Sequence, residues 1–127
     1  MPRSTHEVAD EVRKAAADGL TVRMAGTGHS FTPAAATNGV LLHPGGMTSI
    51  RSVDTAAGLV TVEAGCPLHV LNASLQARGL SLANMGDIQV QTVAGAIQTG
   101  TQAPGATSAA WRPRWPRWNW CWPTARS

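Results

Sequence analysis

The chain has 127 residues, of which 43% are hydrophobic and only 13% charged, with 13 Gly and 8 Pro. That is the composition of one small, turn-rich domain and not of a disordered chain. No run reaches the roughly 20 apolar residues of a membrane helix, no secretory apolar run follows the first residues, and two Cys outside any C-x-x-C pair build no disulfide framework, so a cytoplasmic protein is expected.

The formal net charge of +3 belongs to one end. Residues 1–101 carry six basic and seven acidic side chains, whereas 102–127 carry four Arg and no acid. All five Trp fall between 111 and 122, against a single earlier aromatic, Phe31. Two compositions meet near residue 102. The body has no surplus of positive charge to offer a nucleic acid.

In chain order, Ser4-Thr5-His6-Glu7 is a capping box that starts a helix, with Val8, Val12, Ala15 and Ala16 on one face and Gly19 at its end. Leu20–Ala25 reads as a short strand, followed by the glycine loop Gly26-Thr27-Gly28-His29-Ser30-Phe31. Gly39–His43 reads as a buried strand closed by Pro44-Gly45-Gly46. Residues 50–54 and 59–64 alternate about Thr55-Ala56-Ala57-Gly58, a hairpin pattern. Gly65-Cys66-Pro67 opens a second helix whose stripe is Leu68, Leu71 and Leu75, ended by Gly79. The mixture predicts an α+β fold and not a doubly wound sheet.

Two stretches are built for close approach. Residues 24–30 and 86–101 are small, nearly uncharged and rich in hydroxyl and amide groups. Gly-x-Gly after a strand can turn successive N–H groups into one concavity and cradle a phosphate. The dinucleotide fingerprint wants a third Gly three residues on, where this chain has Phe31 followed by Pro33. The fingerprint fails, and Gly-x-Gly alone is a weak signal. His6, His29, His43 and His69 have no metal-ligand spacing, so no metal is expected.

The run Val22-Arg23-Met24-Ala25-Gly26-Thr27-Gly28-His29-Ser30-Phe31 resembles the histidine-bearing loop of FAD-binding PCMH-type domains, the vanillyl-alcohol-oxidase group. The likeness continues through Thr61–Gly65 and Asn84–Asp87 and ends at Thr92–Thr101; it is strongest to the sugar-1,4-lactone and alditol oxidases. This resemblance implies two small α/β subdomains of an incomplete FAD domain over residues 3–101. It implies FAD as cofactor, and an oxidoreductase acting on CH–OH groups of a sugar lactone or polyol. Oxygen or another electron acceptor would be the second partner.

By the same resemblance, His29 would be covalently joined to the flavin. Met24, Ala25, Gly26, Thr27, Gly28, His29 and Ser30 would wrap the cofactor. Asp87, Thr92, Gly95, Thr99, Gly100, Thr101 and Gln102 would add contacts; Asp87 departs from the small residue usual there. The catalytic base and substrate domain have no counterpart in this chain, so the chain alone is expected to be inactive. Two other readings stand beside this one: a non-catalytic flavin- or nucleotide-binding module, and nucleic-acid binding through the Arg/Trp tail. Peripheral membrane association is left open.

The tail has a second explanation in the genetic code. Trp has one codon, TGG, so reading one base back turns each Trp into an x-T-G codon. Codons 118–123 then read aliphatic-Glu-Leu-Val-Leu-Ala whatever synonymous codons were used. That is an amphipathic strand where the resemblance wants one. Residues 102–127 are therefore expected to be out of frame, non-native and disordered. The sheet faces at 40–43 and 59–64 are expected to lie open for want of the strands that cover them.

Overall fold

Ser4 starts the first helix, α1 (Thr5–Ala17), by accepting the Glu7 N–H at 3.1 Å. The Glu7 carboxylate reaches back, as a capping box requires, to the N–H of Arg3 at 2.9 Å. In this computed structural model, residues 1–82, 85–101 and 120–126 are described, the last stretch as backbone alone. Gly19 ends α1 with φ +67°. Only Ala15 of α1 is buried; Val12 and Ala16 are exposed, so the helix leans on the body along a narrower stripe than its sequence suggests.

β1 (Val22–Met24) pairs in parallel with β2 (Val40–Leu42), Val22 opposite Val40 and Met24 opposite Leu42. Only Leu42 of β2 is buried, and Leu41 is 45% exposed, so the strand is half-open instead of buried throughout. A single turn of 3-10 helix at Pro44–Gly46 follows.

β3 (Ile50–Asp54) and β4 (Leu59–Val62) form the antiparallel hairpin expected from their alternation. Asp54 Oδ1 accepts the N–H groups of Ala56 and Ala57, and Gly58 takes φ +62° to close the turn. α2 (Leu68–Gln76) packs Leu68, Leu71 and Leu75 completely out of water against Val60, Val62 and Leu80. Burying each of those leucines stabilises the fold by about 1.5–3 kcal/mol. The Val60 and Val62 face of β4 is thus covered by this chain's own helix, where an open sheet is expected for 59–64, while Leu59 and Thr61 on its other face are half-buried.

Two elements of the body escaped the sequence reading. They are β5 (Leu80–Leu82) and α3 (Val93–Gln98). β4, α2 and β5 make a β-α-β unit whose two strands run parallel but do not touch. Between them lies β6 (Trp120–Arg126), antiparallel to both, in the order β3-β4-β6-β5. Residues 120–123 pair with β4 and residues 124–126 with β5. Of the tail 102–127, expected to be disordered, the structure describes 120–126 as this strand, and 102–119 and 127 lie outside the described residues. Two facing strand edges, each a row of unpaired N–H and C=O groups, draw in whatever extended segment the chain can supply.

Candidate functional site

The glycine loop leaves β1 tied to its neighbour strand. Ala25 donates its N–H to the Leu42 carbonyl at 2.9 Å, which carries the β1–β2 pairing one residue further. Beyond it Thr27, Gly28, His29 and Ser30 are exposed, with Gly28 at φ +77°. Among the described residues, no hydrogen bond takes the backbone N–H of Gly26, Thr27, Gly28, His29 or Ser30. Ser30 Oγ accepts the Thr32 N–H at 3.3 Å and fixes the far end of the loop.

The other small-residue stretch supplies the loop's floor. Thr92, itself buried, caps α3 by accepting the Gly95 N–H at 3.1 Å. A Cβ on Gly26 would stand 3.0 Å from Thr92 Oγ1 and 3.6 Å from the Gly95 Cα, so the loop rests on the first turn of α3 with no side chain between. The structure thus brings 25–30 together with 92–95, as the sequence expects of these two stretches.

α3 is held by a backbone zipper to the start of α2. Leu68 donates to the Gln91 carbonyl, Val93 to the Cys66 carbonyl and Ala94 to the Ala64 carbonyl, all at 2.9–3.0 Å. These bonds have a chemical consequence. The N–H groups of Val93, Ala94 and Gly95 are all committed within the protein, so α3's first turn has no donor to spare for an anion. Among the described residues, the backbone donors left for an anion here are those of the loop.

The far end of α3 closes on Gly100, at φ +60°, with the Thr101 N–H on the Ala96 carbonyl and the Gly100 N–H on the Ile97 carbonyl. Thr99 Oγ1 donates to the Gly95 carbonyl and lies 3.1 Å from Thr101 Oγ1. Gly86 is buried with its Cα against the Thr101 methyl, where a Cβ would collide, and Asp87 beside it is exposed. Asp87 and Thr101 are therefore neighbours through Gly86, a residue the sequence reading did not single out. Met24 lies in β1, at the edge of the loop, and is 38% exposed. Gln102 lies outside the described residues.

A polar cluster on α2 was also missed. His69 Nδ1 lies 3.3 Å from the Gln89 carbonyl, and Asn72 Nδ2 donates to Gln89 Oε1 at 3.5 Å and to Met85 Sδ at 2.6 Å. Its signal was present as His69 and Asn72 three residues apart, along the flank of the leucine stripe. These contacts tie segment 85–89 to the helix.

Two ionisable groups are displaced from their ordinary values. The Ser49 N–H, 2.7 Å from Glu63 Oε2, holds that carboxyl low, and Arg51 adds a salt bridge. Burial pushes the Cys66 thiol up, with the Glu63 charge adding to it. A buried, protonated thiol is a poor nucleophile. Among the described residues, no three His, Cys, Asp or Glu side chains gather as a metal site, and no helix is long and apolar enough to cross a membrane.

The loop's N–H row and its small-residue floor fit an anionic ligand such as a diphosphate, offering donors without a fixed charge and room for backbone to approach. Comparison with known proteins bears on the same stretch. The sequence profile of a family described as FAD binding domain matches residues 1–111. The chain is 43% identical over 104 residues to L-gulono-1,4-lactone dehydrogenase of Mycobacterium tuberculosis, covering 82% of this chain and 24% of that protein. It is 38% identical over 105 residues to L-gulonolactone oxidase of Bos taurus, covering 83% and 24%. It therefore spans about a quarter of the length of the curated relatives it matches. Among solved structures, cholesterol oxidase from B. sterolicum superposes with a TM-score of 0.73 at 22% identity, over 80% of this chain and 20% of that one.

Proposed function

Because the chain belongs to the FAD binding domain family, with FAD as its cofactor, we propose that it is the front part of an oxidoreductase that oxidises a CH–OH group of a sugar lactone or polyol. The observation that carries this reading is the seat of Gly26 on Thr92 and Gly95, which holds a row of uncommitted N–H groups over a wall of small residues. When bound, FAD supplies a two-electron acceptor for hydride from an alcohol carbon.

The residues of this chain then bind and orient. The N–H groups of 26–30 hold the diphosphate, since α3 has none free. Thr92 keeps the loop at its distance by capping α3 and filling the space beneath Gly26. Thr99 and Thr101 offer hydroxyl oxygens as acceptors, and Asp87, next to Gly86, an exposed carboxylate. His29 is the residue we assign as covalent anchor, because it is exposed and directly follows the turn at Gly28. A ring nitrogen of His29 would be the atom that holds the cofactor there.

The relatives' names carry the choice of a sugar lactone as substrate class. The test is flavin retention and turnover in the protein read one base back after Thr101. Acid-stable flavin together with lactone-dependent bleaching is the expected result. Flavin that washes out and no bleaching by any lactone or polyol would leave a non-catalytic flavin-binding module.

A further inference from the structure

β4 and β5 stand a strand's width apart, and the segment between them is the one whose composition departs from all that precedes it. It is an awkward occupant. Pro123 stands opposite Leu59 in a central strand, where proline has no N–H to give the ladder. The matched family profile also stops at residue 111, short of this strand.

The same codons hold a better occupant. Read one base back, codons 118–123 give an aliphatic residue, then Glu, Leu, Val, Leu and Ala. At unchanged register, leucine falls at positions 120 and 122, opposite Val62 and Val60, which are 3% and 0% exposed. Directly opposite residues share a face of the sheet, so both leucines belong to the face of the buried core. Valine and alanine fall opposite Thr61 and Leu59, which are half-buried, and alanine returns the N–H that Pro123 lacks. The period of two is common to both frames, because each TGG lends its T-G to an x-T-G codon. That explains how an out-of-frame segment can still fill a strand position.

We infer that the gap between β4 and β5 is a strand-accepting slot whose own occupant is the aliphatic-Glu-Leu-Val-Leu-Ala segment encoded one base back, and that Trp120–Arg126 fills it as a main-chain surrogate. Specificity lies in the alternation facing Val60 and Val62; the ladder itself accepts either text.

The test substitutes the full chain at six positions. One variant carries Trp118→Leu, Asn119→Glu, Trp120→Leu, Cys121→Val, Trp122→Leu and Pro123→Ala. A control of equal composition is slipped by one residue, with Trp118→Glu, Asn119→Leu, Trp120→Val, Cys121→Leu, Trp122→Ala and Pro123→Leu, which turns the leucines to the other face. The aligned variant should melt about 5 °C or more above the slipped one. An equal or lower melting temperature overturns the inference. If neither melts cooperatively, amide exchange of the unsubstituted chain decides. A lysine-flanked Leu-Glu-Leu-Val-Leu-Ala peptide should displace 120–126, costing those amides their protection while 59–62 keep theirs. Unmoved protection at saturating peptide overturns the slot.

Discussion

Gly26 and Thr92 touch without a side chain between them: a Cβ on Gly26 would lie 3.0 Å from the threonine Oγ1. The two residues belong to the two small-residue stretches, and their contact sets how far the loop's N–H groups stand from α3. Gly26→Val should therefore lower FAD affinity at least tenfold, read by quenching of flavin fluorescence. Thr92→Ala should cost about 1 kcal/mol through the lost cap. Added to Thr92→Ala, Gly26→Ala should destabilise less than it does alone, since the atom it would crowd is gone. Strict additivity of the two would show that the contact carries no energy.

The stability of the β3–β4 hairpin should depend on pH through Glu63. Its carboxyl accepts the Ser49 N–H and pairs with Arg51, and its pKa is held below the ordinary value in the folded state. A depressed folded pKa means the contribution is present above the unfolded value, about 4.3 for a glutamate, and is lost as pH falls through the folded one. Glu63→Gln should lower the melting temperature at neutral pH, and the two curves should converge near pH 3. Parallel curves down to that pH would show that the charge is not what stabilises the corner.

Cys66 should be silent to thiol reagents in the folded chain. It is fully buried, and desolvation raises its pKa, so the thiolate is scarce at neutral pH. Its modification should follow the rate of unfolding, and moderate denaturant should speed it. Prompt labelling of Cys66 in the native state, followed by mass spectrometry of the peptide containing it, would contradict the buried placement.

The elements legible in the sequence are those with a local physical cause. Ser4 and Glu7 announce α1, Asp54 and Gly58 the hairpin, and Leu68, Leu71 and Leu75 the face of α2. α3 was not legible because its six residues include Gly95 and two β-branched side chains, and its stability comes from outside. It rests on Thr92 and on carbonyls of Ala64 and Cys66, nearly thirty residues earlier. β6 was not expected for a related reason. Its text holds strand-favouring Trp and Thr but also Pro123, and it pairs because an open edge stands on either side. In the site, the loop was legible from its glycines; the role of Gly86 beneath Thr101 was not, since a glycine's reason is often the atom that comes near it.

His29 is the residue on which the covalent reading turns. It follows Gly28, whose φ of +77° bends the backbone, and its neighbours Thr27 and Ser30 are small, so the imidazole projects from a turn open to solvent. Bond formation at a ring nitrogen needs close and sustained approach, which is a matter of positioning more than of reactivity. The chain spans about a quarter of the length of its curated relatives, and on the proposed reading it should by itself take up little covalent flavin. Read one base back after Thr101, the protein should precipitate yellow in acid. His29→Ala in that protein should release its flavin to the supernatant while FAD affinity changes by no more than a few-fold. Cys66→Ala should leave the yellow precipitate unchanged, because that thiol is buried and protonated. Acid-stable flavin persisting in His29→Ala would assign the link to another residue and remove His29 from the site.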